Sequence, residues 1–154
     1  NYDSSVFTNG LAQFARTKPK SSRAAKVNGS TLLICDYGSC IGATTHYNVN
    51  VKLAKVSAEE TIKELANPSK PVIFCGDLNL LPDSEGIAVL KKGFTMLSDP
   101  SQFTCHALHP DICLDYIFVD TAHADQVKAS GYTVGTGPSQ ASDHCPIWID
   151  LVVE

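Results

Sequence analysis

No stretch of the 154-residue chain approaches the roughly 18 consecutive apolar residues needed to cross a bilayer as a helix. The N-terminus has no basic-then-apolar leader, and the chain opens at Asn1 with the look of a mature or trimmed product; the compartment stays open. The six cysteines form no Cys-x-x-Cys pair, which argues against a structural zinc site. Cys35, Cys75 and Cys145 read as small buried hydrophobes, while Cys105 with Cys113, and Cys35 with Cys40, stand where a cross-link is an option the sequence does not decide. Repeats, low-complexity tracts and clear linkers are missing too, so residues 1–154 read as one domain or part of one. There is no basic excess: the net charge of −4 argues against a non-specific nucleic-acid binder.

That charge is uneven. Arg16, Lys18, Lys20, Arg23 and Lys26 fall within the first thirty residues, opposed there only by Asp3. A solvated loop is the favoured reading of such a run, and a basic rim attracting a phosphorylated substrate is the alternative. With 44% hydrophobic residues the chain has enough apolar content for one ordinary core.

The pattern predicts strands over 10–15, 31–35 and 41–47, with a turn at Asn28-Gly29 and a hairpin loop at 36–39. Ser57 with Glu60 three residues on resembles a capping box, predicting a helix over 58–66 that Asn67-Pro68-Ser69 ends. Pro71 and the run Val72 to Gly76 then read as a buried strand, and a strand after a helix suggests an α/β layer arrangement. A second helix is expected over about 84–92, stopped by Gly93. Strands follow at 103–104, 113–119, 127–134 and 146–153.

Polarity returns abruptly at the end of the Val72 strand, as Gly76-Asp77-Leu78-Asn79. Side chains alternate along a strand, so Asp77 and Asn79 face the same way at the rim. They offer hard oxygen ligands and an amide donor, suited to a divalent cation and a phosphate oxygen. Both are also turn formers, so a plain turn is the competing reading. Asp115 opens a second apolar run, Asp143-His144 precede the last one, and His46 ends a fourth. Alone, each is an ordinary strand-end or loop residue. Together they are carboxylates that repel unless a cation compensates, beside imidazoles that a carboxylate can orient.

In this order and at these separations, Gly76 to Asn79, Leu114 to Val119 and Ser142 to Pro146 resemble the endonuclease/exonuclease/phosphatase superfamily. Thr45-His46-Tyr47 resembles that family's Thr-His-Leu segment, and Gly10-Leu11-Ala12 a strand entering a mid-domain loop. The resemblance implies a four-layer α/β sandwich, with two face-packed, mostly antiparallel sheets flanked by helices. It implies Mg²⁺- or Mn²⁺-dependent hydrolysis of a phosphodiester or phosphomonoester by in-line attack of activated water. Carried over by position, Asp77 orients or deprotonates the water, and Asn79 holds a phosphate oxygen. His144, paired with Asp115, stabilises transition-state charge, and His46 contacts the phosphate or serves the leaving group. Asp143, with Asp77 and Asn79, is expected to hold the metal.

The resemblance covers only the later part of that domain. The family's earlier part carries an Asn and a metal-binding Glu, whereas the acidic residues before Tyr47 here are Asp3 and Asp36. The chain is therefore expected to be an N-terminally incomplete domain with poor activity alone, or one completed by a separate chain. A basic residue that usually follows the Thr-His segment has Lys52 or Lys55 as stand-ins. Asn79 is followed by Leu80-Leu81, unlike inositol phosphatases, and Ile112-Cys113-Leu114 replaces the Trp-Arg of abasic-site endonucleases. A small-molecule or lipid head-group ester is the favoured substrate. A nuclease and an inactive fragment keeping only the fold are the alternatives.

Overall fold

The computed structural model describes residue 13, residues 17–136 and residues 142–154. Of the strand expected over 10–15, only Gln13 falls among them.

The fold is mixed α/β, with one six-stranded sheet and one two-stranded sheet. The large sheet holds β1 (Ser21–Val27), β2 (Ser30–Asp36), β3 (Ile41–His46), β4 (Val72–Asp77), β5 (Phe94–Met96) and β6 (Asp115–Asp120). Their order is β1-β2-β3-β4-β6-β5, with β3 and β4 parallel and the other pairs antiparallel. A parallel neighbour requires a crossover, and α1 (Val51–Glu64) supplies it. A short helix α2 (Glu85–Leu90) follows β4, and β7 (Val127–Val134) pairs with β8 (Ile147–Val153) as the small sheet. No helix among the described residues is long and apolar enough to cross a membrane.

Local chemistry accounts for these elements. Asn28 and Gly29 both adopt positive φ, 47° and 85°, which closes the two-residue hairpin between β1 and β2. The strand pairing puts Ile34, Ala43, Phe74 and Phe118 side by side on one face. That face is covered by Ala54, Ala58, Ile87 and Leu90 from the two helices. Phe74 packs 5.5 Å from Phe94 and 6.0 Å from Phe118, ring centre to ring centre. On the other face Leu33, Ile73 and Cys75 are only partly buried.

Three expectations change, and one open question is answered. The first helix starts at Val51 rather than Ala58: Asn50 caps it, its side chain accepting from Lys52 N at 3.1 Å and Leu53 N at 3.4 Å. Ser57 is a buried mid-helix residue whose hydroxyl donates back to the Leu53 carbonyl at 3.1 Å, so it caps nothing. The basic run is in part the edge strand β1: Arg23 pairs with Glu64, and Lys26 donates to Thr31 Oγ1 at 2.8 Å. Charged side chains on an edge strand discourage pairing with a further strand. At 103–105 only isolated bridges form, through Cys105, while a three-residue strand at 94–96 goes unread in the sequence. Finally, all six cysteines are free thiols, so neither of the two cross-links left open by the sequence forms.

Candidate active site

The strand register builds the site. His46, Asp77 and Asp115 are direct partners across three neighbouring strands, at one rim of the large sheet. Main-chain bonds extend the seam past the strand ends: Tyr47 N donates to the Asp77 carbonyl at 3.0 Å, and Leu78 N to the Leu114 carbonyl at 2.9 Å. Gly76 sits at φ 151°, and a Cβ there would run into the Thr45 carbonyl oxygen of β3. The close approach that glycine permits is therefore that of the neighbouring strand.

Asp77 is both a turn residue and a site residue. Its Oδ1 accepts from Asn79 N at 2.9 Å, and Asn79 adopts φ 49°. The tight turn brings the Asn79 amide back to 3.4 Å from Asp77 Oδ2, while the same amide nitrogen donates to the Tyr47 carbonyl at 2.9 Å. The turn reading of Asp77-x-Asn79 is thus the one seen here, and it leaves Asp77 Oδ2 facing the two histidines.

Asp77 Oδ2 is the hub. It lies 3.3 Å from His46 Nε2 and 3.7 Å from His144 Nε2. The other ring nitrogen of His144 bonds Asp115 Oδ2 at 2.7 Å. His144 reaches this position because its segment forms a bridge with Cys105, while Cys145 N donates to the Thr104 carbonyl at 2.7 Å. The buried Thr104 hydroxyl in turn accepts from Leu114 N at 3.0 Å and Asp115 N at 3.2 Å, tying the start of β6 to the same segment. Tyr116 fixes the loop after Asn79 by donating to the Leu80 carbonyl at 2.6 Å.

Electrostatics follow from this packing. Burial lifts the Asp77 carboxyl above its ordinary range, against the pull of the Asn79 N–H, and the Asp115 charge lifts it further. Burial alone would lower the His144 pKa, but the hydrogen bond to Asp115 and the charges of Asp115, Asp77 and Asp143 together outweigh it, and the ring holds its proton more tightly than usual. The result is a carboxylate moved toward base strength beside an imidazole oriented by another carboxylate.

Asp77, Asp115 and His144 each offer a ligand atom, all within 4.8 Å of one another. The two carboxylate oxygens suit a divalent cation and their charge gives one a reason to bind, while the His144 nitrogen joins them only when the ring is neutral. Asp143 stands next along the chain and is exposed. It lines a 230 Å³ pocket with His106, Ala107, Leu108, His109 and Ser142, and its carbonyl accepts from Ala107 N at 2.8 Å. Lys55 is engaged with Glu85 at 2.8 Å, whereas Lys52 is exposed.

The positioning groups Thr104 and Tyr116 escape sequence reading, because a buried hydroxyl bonded to main chain leaves no periodic or motif signal. The Asn50 cap is different: an Asn two residues before Lys52 is a readable start signal, hidden here by the valines around it.

The sequence model of the Endonuclease/Exonuclease/phosphatase family matches residues 31–144. The chain is similar in fold to an endonuclease/exonuclease/phosphatase from Bacteroides vulgatus, at 19% identity and TM-score 0.65, covering 81% of this chain and 56% of that one. It is similar to the Bacteroides thetaiotaomicron mannosyl-6-phosphatase, at 19% identity and TM-score 0.61, over 80% of this chain and 57% of that one. It also resembles D. rerio TDP2 complexed with single strand DNA product, at 17% identity and TM-score 0.69, over 88% of this chain and 68% of that one. No curated protein matches the sequence. The chain thus spans little more than half the length of the first two structures.

Proposed function

The chain belongs to the endonuclease/exonuclease/phosphatase family, and from that premise we propose that it carries the water-activating and phosphate-binding part of a metal-dependent phosphoesterase. The observation behind this reading is Asp77 Oδ2 held between His46 Nε2 at 3.3 Å and His144 Nε2 at 3.7 Å, with Asp115 behind His144 at 2.7 Å.

Each residue then has a task. Asp77, its proton affinity raised by burial, orients the attacking water and takes its proton. His144, kept protonated by Asp115, faces a phosphoryl oxygen and stabilises the charge that develops there. His46, more open to solvent, serves the leaving group or a second phosphate oxygen. The Asn79 nitrogen is committed to Tyr47, which leaves its oxygen for the metal or the water.

Asp77 is common to the ligand set implied by the resemblance, with Asn79 and Asp143, and to the convergent group with Asp115 and His144. Mg²⁺ or Mn²⁺ bound there would supply charge neutralisation and a more acidic water. In the whole protein we place the open face of the large sheet against a second sheet that includes β7 and β8, completing a four-layer sandwich. The remaining strands and ligands would come from a further segment or a separate chain, and this chain alone is expected to turn over poorly.

The overall charge favours a small-molecule or lipid head-group ester over a polynucleotide, since the site end has carboxylates where a nuclease needs a basic track. The test is hydrolysis of a generic phosphodiester with Mg²⁺ and with Mn²⁺ by the chain and by Asp77→Asn and His144→Ala. Turnover that requires the cation and drops at least a hundredfold in both variants supports the reading, since paired acid–base groups contribute on that order. Cation-independent turnover, or full turnover in either variant, overturns it.

A further inference from the structure

Strands β4 and β6 carry Asp77 and Asp115 at one end, and Val72 and Asp120 at the other. A 620 Å³ cavity opens at that second end, away from the candidate active site. Its walls are the end of α1 with Ile62 and Leu65, the start of β5 with Phe94, and the turn after β6 with Asp120 and His123. Leu65 and Phe94 are buried and Ile62 is half-buried, so the floor is apolar. Phe94 packs on Phe74, which sets the cavity on the side of the sheet that the two helices cover. The second sheet of the whole protein is placed against the other side, and every wall here is built by this chain.

The polar atoms around that floor are held in place. Asp120, its side chain only 5% exposed, accepts from Val72 N at 2.7 Å through Oδ1 and meets His123 Nδ1 at 2.7 Å through Oδ2. The first bond serves the fold, because it satisfies the main chain entering β4. The second serves no main-chain group. A carboxylate only accepts, so Nδ1 carries the proton, and Nε2 is left without a protein partner among the described residues. In the neutral ring that nitrogen is an acceptor. Lys92, on the same wall, is exposed and makes no ion pair among the described residues.

A cavity of a few hundred Å³ with an apolar floor and a few fixed polar groups has the form of a small-molecule site. Each group selects part of the occupant. The floor takes a ring, one ammonium matches a monoanion such as a carboxylate, and Nε2 takes an N–H or O–H donor. We infer that this cavity is a second ligand site, separate from the rim, which binds a small aromatic carboxylate carrying such a donor. Lys92 meets the carboxylate, His123 the donor, and Ile62, Leu65 and Phe94 the ring. The inference does not depend on the phosphoesterase reading.

Amide chemical-shift titration of the full chain with indole-3-acetate, which has all three features, tests this. Saturable shifts are expected at Lys92, Gly93, Thr121 and His123, with a Kd of about 1 mM or below. Gly93 lines the cavity, and a Cβ there stands 3.5 Å from Ile62 with no backbone in its way. Gly93→Leu therefore fills the cavity and is expected to weaken binding at least tenfold. Lys92→Glu, an exposed change, is expected to weaken it about tenfold by reversing the charge. Tryptamine, the same ring on an ammonium, should bind about tenfold weaker than indole-3-acetate, and 1-naphthylacetate, without the N–H, several-fold weaker. Absence of saturable shifts at about 10 mM, or shifts confined to His46, Asp77 and Asp115, overturns the inference. So does unchanged binding in either variant, or binding of tryptamine or 1-naphthylacetate as tight as that of indole-3-acetate. Should Gly93→Leu not fold, Lys92→Glu and the two comparison compounds decide.

Discussion

Replacing Asp77 by asparagine should make the protein more stable and less active, and the gain in stability should depend on pH. Ligand atoms of Asp77 and Asp115 lie within 4.8 Å. Two full charges at that separation repel by about 3 kcal/mol at an effective dielectric near 20. Protonated His144, bonded to one carboxylate and 3.7 Å from the other, offsets most of that. An acid whose folded pKa is raised, as burial and Asp115 raise that of Asp77, gives up stability as pH rises from its ordinary value to the raised one. His144 has a raised folded pKa as well, so its stabilisation is complete below its ordinary 6.5 and fades as pH climbs through the folded value. Both trends make the site least stable in alkali. The carboxamide introduced by Asp77→Asn keeps an oxygen for the Asn79 N–H and removes the buried charge. The expected gain is about 1–2 kcal/mol near pH 8.5, or about 2–4 °C in Tm per kcal/mol at this size, and smaller near pH 5.5, where protonated His144 offsets the charge. Urea unfolding at the two pH values measures it. Adding Mn²⁺ at the higher pH should stabilise the parent and leave Asp77→Asn unchanged. A variant less stable than the parent near pH 8.5, or a gain equal at both pH values, would refute the electrostatic argument.

Further outcomes follow from other parts of the structure. Asp115→Asn should lower the pKa of His144, read from its ring proton by NMR, because the bond that holds the proton loses its charge. Gly76→Ala should destabilise by about 3 kcal/mol or more in urea, since the Cβ meets the Thr45 carbonyl and φ 151° strains any other residue. Phe74→Ala, wholly buried between Phe94 and Phe118, should cost about 3–5 kcal/mol in the same assay. Asn50→Ala should cost about 1 kcal/mol and fray the first turn of α1 in amide exchange, an effect a helix starting at Ala58 would not show.

What could be read directly from the chain was whatever repeats with a period or ends abruptly. The run Val72 to Gly76 is continuous although only the face of Val72 and Phe74 is fully buried, Ile73 and Cys75 being partly exposed on the other, and the polar residues after it mark the rim. Asp115 and His144 are legible on the same ground. Strand β1 was not, because Ser21–Val27 is an exposed edge whose alternation carries no apolar signal. The first turns of α1 were hidden by Val49, Val51 and Leu53, which look like strand or core and are in fact exposed. Ser57 misled because its hydroxyl bonds backward within the helix, a use indistinguishable in sequence from capping. Which atom of Asp77 meets which ring is beyond any spacing argument, since it depends on the left-handed turn at Asn79 and on the bridge that carries His144 back to Cys105.

The pairing of His46 with Asp77 and of Asp77 with Asp115 is a property of the main-chain ladder. The spacing of these three positions is therefore set by the strands, hardly varies, and is insulated from the lengths of the connecting loops. Exchanges in these loops that spare Asn79 and the Cys105 bridge can remodel the surroundings of the rim without shifting these three positions. A slip of β4 by a single residue would do the reverse, turning Asp77 to the other side of the sheet while leaving every loop intact.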